Sequence, residues 1–323
     1  MVSEWGDELR ERLAALLGAD EVGSLRLLAG GASKEAWAVD VRTADGELPL
    51  LVRRAAGGVI HTDTLSLEDE LRVLEAAHEA GVRVPRPYAY LDEVGGREAF
   101  VVVRVEGETI GRRIVRNPEL AAAREALPRQ LADELAKVHA LAPEAVPFLR
   151  ARDVLERFEV ELDSVDEPHP AIELGLRWLR DHRPEPLDPV VSHGDFRIGN
   201  VVVSGQGLEY LLDWEFAHVG DPSEDVAWPL VRAWRFGVDE RRLGGVGEVE
   251  PYLERYVELT GRSIDADDLF WWEVLGNVKW ATGALTQSRR HLNREERSIE
   301  LAVLGRLAAE MEYELLHLLE AVS

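Results

Sequence analysis

The chain has 323 residues, 46% hydrophobic and 30% charged, an ordinary globular composition long enough for one large or two modest cores. Its formal net charge of -24 argues against a nucleic-acid surface, which needs a positive footprint facing phosphate, and does not by itself select a cationic ligand. The absence of cysteine excludes a disulfide framework, thiolate metal sites and a cysteine nucleophile.

The N-terminal stretch MVSEWGDELRERL is acidic and lacks the basic and apolar regions of an export signal, and no apolar run is long enough to cross a bilayer. A cytoplasmic location with no membrane partner is expected. The first helix is predicted over Glu8–Leu17, stopped by Gly18. SLRLLAGGASKEAWAVDVRTADGELPLLVRR then gives strand, glycine turn, strand, ADGE turn and strand. In LSLEDELRVLEAAHEAG the residues Leu67, Leu71, Leu74 and Ala77 fall on one helical face, with Gly81 beyond the end. A VPRP turn leads to two more strands, around Tyr88–Leu91 and Glu98–Val105. Five short strands interrupted by one helix make an α+β unit of residues 1–105, with a boundary near Val105–Gly107. Residues 106–323 are predicted to be mainly helical. Helices are expected at 119–141, across Arg150–Arg183 with a break at EPHP, and over Glu248–Leu259, Ala266–Arg290 and Ile299–Leu319. Short strands are expected around Pro189–Ser192, Val201–Val203 and Leu208–Leu212.

Those three strands frame HGDFRIGN (His193 to Asn200) and YLLDWE (Tyr210 to Glu215). The strand PVVSH delivers Asp195 into a turn, Asn200 precedes VVV, and Asp213 ends YLL, so hairpin geometry would let the three side chains converge. Taken singly, each suits a turn cap, because Asp and Asn bond local backbone groups. Taken together, an amide oxygen and one carboxylate suit Mg²⁺, while the other carboxylate can take a proton from a hydroxyl. Phosphoryl transfer needs this division between a metal beside the phosphates and a base beside the acceptor.

HGDFRIGN followed by LLDWEFAHVGDPSEDVAW resembles the HGDxxxxN and D-[WFH]-E pattern of the aminoglycoside phosphotransferase and choline kinase group. That group has a two-lobed protein-kinase-like fold, with a small five-stranded N-lobe and a mainly helical C-lobe. The resemblance implies that Asp195 is the catalytic aspartate and that Asn200 and Asp213 are metal ligands. It implies a structural role for His193, and for Asp225 a bond back to the catalytic-loop backbone. Asp221 is expected to cap a turn or helix, Glu215 is open between ligand support and a local network, and His139 is expected to be packed or turn-bonded.

In the N-terminal unit, LLAGGASKEAW places a glycine turn where backbone N–H groups can approach phosphate, without the order of a Walker loop; Lys34 is not assigned that role. The resemblance makes Gly30, Gly31 and Ser33 phosphate-loop contacts. Strand alternation puts Leu51 and Arg53 on one face and Arg54 on the other. The resemblance makes Arg53 the phosphate contact, paired with Glu70, in a position where protein kinases more often have lysine. FVVVRVEG resembles the last N-lobe strand and hinge, with the backbone of Arg104 and Val105 at the purine edge and Val102 and Val103 as an apolar wall.

GGASKEAW, LVRR, HGDFRIGN and DWEFAHVGDP particularly resemble the phosphotransferase domains joined to some acyl-CoA dehydrogenases, although no dehydrogenase-length domain follows in this sequence. The resemblance implies a small-molecule kinase using ATP, with GTP not distinguished, and Mg²⁺. Its acceptor is expected to be a hydroxylated metabolite or antibiotic, with an aminoglycoside or a hydroxyacyl-CoA as candidates. A catalytically inactive nucleotide-binding regulator and a hydrolase of the same cluster are the alternatives. Trp271, Trp272 and Trp280, with Arg289 or Arg290, are candidates for the acceptor cleft, although Val274, Val278, Ala281 and Leu285 form a packed seam through the same segment.

Overall fold

The computed structural model describes residues 3–28, 34–56, 64–151 and 153–322. Helix α1 (Ser3–Leu17) precedes an antiparallel sheet of β1 (Glu21–Val22), β2 (Arg26–Leu27), β3 (Lys34–Thr43), β4 (Gly46–Ala55), β5 (Pro87–Leu91) and β6 (Ala99–Val103). The strand order is β1-β3-β4-β6-β5, and β2 also pairs with β3. Among the described residues six strands stand where five were expected, because the first is split. Val22 faces Val41 and Arg26 faces Ala38, so the first strand carries one residue more than its partner, as at a bulge.

The two faces of the sheet have different tasks. Trp37, Val39, Val41, Leu50 and Val52 pack with Leu9 and Leu13 of α1. The opposite face carries Leu51, Arg53 and Phe100 toward α2 (Leu67–Glu79), which buries Leu67, Leu71 and Leu74. Ser66 caps α2 by accepting the Asp69 N–H at 3.0 Å, a bond of about 1 kcal/mol in typical helices, and acidic Glu68, Asp69 and Glu70 suit the positive end of the helix. Arg53 and Arg54 diverge as alternation requires. Arg54 donates to Val94 O at 2.8 Å and lies 4.5 Å from the Trp5 ring centre.

After β6 the chain runs alongside the β8 region, where Glu108 and Val203 exchange backbone hydrogen bonds of 2.8 and 2.9 Å. Helices α3 (Gly111–Arg116), α4 (Ala121–His139), α5 (Val154–Asp163) and α6 (Pro170–Asp181) follow. Then come β7 (Val190–Ser192), β8 (Val201–Ser204), β9 (Gly207–Leu211), β10 (His218–Gly220) and α7 (Pro222–Ala227), and finally α8 (Glu250–Thr260), α9 (Ala266–Leu292) and α10 (Ile299–Glu320). β8 and β9 form a hairpin, and β7 pairs with β10. β10 was not expected; three residues are too few to show a period of two. Leu127, Leu131 and Leu135 of α4 share a core with Tyr252 and Tyr256 of α8. A second core holds Trp228, Trp234, Trp271 and Trp272 with Val274, Val278, Ala281 and Leu285. Among the described residues no helix is long and apolar enough to cross a membrane.

Candidate active site

β7 ends in a turn held from below by α7. Asp225, fully buried, accepts the His193 N–H at 2.6 Å and the Gly194 N–H at 2.9 Å, and meets His139 Nε2 at 3.3 Å. Burial alone would raise the Asp225 carboxyl, but the hydrogen bond and charge of His139, then His193, outweigh it and hold the group below the usual carboxylate range. Asp221 caps α7 through the Ser223 N–H at 2.8 Å. Gly194 has φ +79°, and a Cβ there would lie 2.3 Å from Phe216 O, so this turn needs glycine for both conformation and space.

His193 is buried, and desolvation holds its pKa below the usual imidazole value. Its Nδ1 accepts the Asp195 N–H at 3.2 Å, which leaves the proton on Nε2, and Nε2–H donates to Leu212 O at 3.0 Å. The ring therefore ties the turn carrying Asp195 to the end of the hairpin. Leu212 N–H also donates to Asn200 O at 2.8 Å, closing the hairpin between Asn200 and Asp213.

The Asp195 carboxylate is held on both oxygens. Oδ1 accepts from Trp228 Nε1 at 2.7 Å and Arg197 Nε at 3.0 Å, and Oδ2 accepts from Asn200 Nδ2 at 2.6 Å. Asn200 Nδ2 also donates to Asp195 O at 2.9 Å. Both bonds use the amide nitrogen of Asn200, so neither occupies its Oδ1. Trp228 and Arg197 were not foreseen as partners of Asp195, although Arg197 lies inside HGDFRIGN and Trp228 three residues past Asp225. The Arg197 guanidinium stacks 4.2 Å from the Trp234 ring, which in turn lies 4.7 Å from Trp280. Lys279 donates to Gly194 O at 2.7 Å and Glu224 at 3.0 Å, and lies 4.3 Å over Trp228. Burial alone would raise Glu224, yet Lys279 and then His218 at 3.1 Å hold its carboxyl well below the usual range.

Asp213 takes a left-handed φ of +59°, a conformation that aspartate tolerates better than most residues. Its carboxylate accepts from Arg53 Nη2 at 2.8 Å. Burial works against ionisation of Asp213, but Arg53, then Lys34 and Arg197, lower its pKa overall. The expected pairing of Arg53 with Glu70 is replaced. Glu70 binds Lys34, whose ammonium also meets Glu215 at 2.9 Å. Lys34 and Arg53 share the face toward α2, so alternation admits both partners and reach decides. The ammonium is buried against α2, whereas the longer guanidinium crosses to Asp213. Burial alone would lower Lys34; its two carboxylates outweigh that and raise it, keeping it charged.

Arg104 commits its backbone N–H to Pro49 O at 2.9 Å and its guanidinium to Asp40 at 2.7 Å, so its amide is not offered to a purine. Val102 is buried in the sheet and Val105 is half-buried just past its end. Gly30, Gly31 and Ser33 lie outside the described residues. Trp271 and Trp272 are core residues, with Trp271 Nε1 bound to Leu179 O at 2.9 Å. Arg289 pairs with Glu167 at 3.3 Å and Arg290 with Glu296 at 2.7 Å. Of the expected acceptor-side residues, Trp280 is linked to Asp195 through Trp234 and Arg197.

Residues 24–259 match the phosphotransferase enzyme family, well over half of the chain. The chain belongs to that family. It is 27% identical over 281 residues to mouse (Mus musculus) acyl-CoA dehydrogenase family member 10, a match covering 77% of this chain and 25% of the mouse protein. It therefore spans about a quarter of the length of that relative. Homoserine kinase of Methylocella silvestris is 28% identical over 234 residues, 69% of each chain. Among solved structures, a provisionally assigned aminoglycoside phosphotransferase from Ralstonia eutropha superposes with a TM-score of 0.72 at 20% identity, covering 96% of this chain and 97% of its own. The GDP complex of aminoglycoside 2'-phosphotransferase-IIIa gives 0.64 at 14% identity over 97% and 98%. At these identities the structural likeness establishes the fold, the α+β protein-kinase-like architecture of a sheet-based N-lobe and a helical C-lobe.

Proposed function

We propose that the protein is a small-molecule kinase that moves the γ-phosphoryl group of ATP to a hydroxyl, with Asp195 as the base. The observation that carries this is the state of the Asp195 carboxylate. A carboxylate has about four lone-pair directions. Oδ1 uses two on Trp228 and Arg197, and Oδ2 uses one on Asn200, so among the described residues Oδ2 keeps one for an acceptor hydroxyl. As the hydroxyl oxygen bonds to the γ-phosphorus, its proton passes to Oδ2, the bond from phosphorus to the bridging oxygen breaks, and ADP leaves. Trp228, Arg197 and Asn200 hold the carboxylate in one orientation, so little reorganisation is required at that step.

The residues present fit Mg²⁺. Asn200 Oδ1 and the Asp213 carboxylate are hard oxygen donors, and Mg²⁺ is commonly held by one or two protein oxygens with phosphates and water completing its shell. Bound there, the ion would neutralise charge on the phosphates. Arg53 suits the phosphates themselves. Its Nε is buried without a hydrogen-bond partner among the described residues, an orphan donor that an oxyanion would satisfy. Gly30, Gly31 and Ser33 would supply backbone contacts, and the Arg104 carbonyl with Val105 the purine edge. Support for nucleotide use comes from the GDP held by the aminoglycoside 2'-phosphotransferase. Support for an alcohol acceptor comes from the homoserine kinase match.

The test is a screen with γ-labelled ATP over hydroxyacyl-CoAs, amino alcohols, sugars and aminoglycosides, followed by mass analysis of products. A phosphorylated acceptor formed only with Mg²⁺ is expected. Tight MgATP binding with no product across the panel would instead favour a nucleotide-binding regulator, and phosphate release independent of acceptor a hydrolase.

A further inference from the structure

Lys34 and Arg53 stand on the same face of the β3–β4 ladder, because Lys34 faces Ala55 across the pair and Arg53 faces Ala36. Their surroundings differ. The Lys34 side chain is 7% exposed and its ammonium lies between two carboxylates, Glu70 of α2 and Glu215, the second residue past Asp213. Arg53 is more open, binds Asp213 at 2.8 Å and retains the orphan Nε. The same two elements meet again through the backbone: Leu65, just ahead of α2, donates its N–H to Glu215 O at 2.8 Å.

We propose that Lys34 is a positioning residue that clamps α2 to the loop carrying Asp213, and that this clamp leaves Arg53 as the cation for nucleotide phosphate. The proposal rests on the kinase reading above. A compact ammonium shared by two carboxylates suits a tether, whereas a planar fork with an unused donor suits an oxyanion. The division has a consequence. Were Arg53 the tether of Glu70, arriving phosphates would compete with α2 for the same guanidinium. With Lys34 on Glu70, Arg53 can turn from Asp213 to phosphate while α2 stays docked, and Asp213 becomes available as an oxygen ligand in the same movement.

Two variants separate the roles. Lys34→Met alone leaves the buried Glu70 without this cation and can fail to fold, so the test uses Lys34→Met combined with Glu70→Gln, which keeps the net charge. Arg53→Met is its counterpart. Amide hydrogen exchange over residues 67–79 reports the docking of α2, and calorimetry with ADP, with and without Mg²⁺, reports the phosphate and metal ends. The double variant is expected to speed α2 exchange roughly tenfold or more. It should also cut the factor by which Mg²⁺ tightens ADP by about fivefold, while metal-free ADP affinity stays within about threefold. Arg53→Met is expected to leave α2 exchange within about twofold and to weaken metal-free ADP by more than about tenfold. A purely structural Lys34 would change exchange without changing the Mg²⁺ factor. The proposal is overturned by that result, by α2 loosening in Arg53→Met and not in the double variant, or by the double variant losing as much metal-free ADP affinity as Arg53→Met. Wild-type protein that binds no ADP overturns the kinase reading and the positioning role with it, an outcome distinct from every variant pattern.

Discussion

Replacing Asp225 by asparagine removes one oxygen from beneath the turn that presents Asp195. In the wild type the two carboxylate oxygens accept the N–H groups of His193 and Gly194 at 2.6 and 2.9 Å, with His139 also in contact. Asparagine keeps one acceptor and points an amide donor at the other N–H. Losing a charge-assisted hydrogen bond costs about 1.5–3 kcal/mol, and leaving its buried partner unpaired costs about 1–3 kcal/mol more. The site is fully buried, so water cannot repair the loss. A destabilisation of about 3–5 kcal/mol is expected, a large part of the about 5–15 kcal/mol that holds a typical domain folded. Equilibrium urea unfolding with a shared m-value measures it. Calorimetry should find MgADP affinity nearly unchanged, because Arg53 and Asp213 bond each other and Asn200 bonds Asp195 rather than Asp225, while turnover falls as the turn shifts. A destabilisation below about 1 kcal/mol with unchanged turnover would refute the assignment of this carboxylate as the anchor of the turn.

Gly194→Ala should cost about 1–3 kcal/mol from the left-handed backbone, with a further penalty from the contact at Phe216 O, and should lower the thermal midpoint; a midpoint within a degree of wild type would contradict it. Glu224 has a folded pKa below its unfolded value, so its contribution is present above about pH 4.5 and is lost as pH falls through the folded value. Glu224→Gln should therefore flatten the fall of stability below pH 4.5 by up to about 1.4 kcal/mol per pH unit, read from urea midpoints at several pH values; an unchanged slope would count against the Lys279–Glu224–His218 network as a source of acid sensitivity. Trp228→Phe keeps an aromatic side chain but removes the indole N–H on Asp195, so turnover should drop about tenfold with nucleotide affinity unchanged, whereas an unaltered rate would show that Oδ1 needs no such donor.

Much of this arrangement is visible in the sequence because its hydrophobic strands are local. The β8–β9 hairpin brings Asn200 and Asp213 together over a short stretch of chain, and alternation alone sends Arg53 and Arg54 to opposite faces. The long helices announce themselves by period, as Leu67, Leu71, Leu74 and Ala77 do for α2. What escaped was decided by reach and by distant packing. Lys34 and Arg53 share a face, and only the depth of each side chain beside α2 settles which one meets Glu70. Trp228 reaches Asp195 because α7 docks beneath β7, a contact between segments whose periodicity says nothing of their separation. Trp271 and Trp272 sit in the same helix as the half-buried Trp280, and the sequence there favours the packed seam for any one of them without saying which ring faces the site.

The most direct measurement of the central claim follows isotope from γ-¹⁸O-labelled ATP into an acceptor, comparing wild type with Asp195→Asn at matched MgADP affinity. Wild type should place the labelled phosphoryl group on a hydroxyl, and the variant should do so about 10²–10⁴-fold more slowly. A variant that transfers the label at the wild-type rate would contradict the assignment of Asp195 as the base.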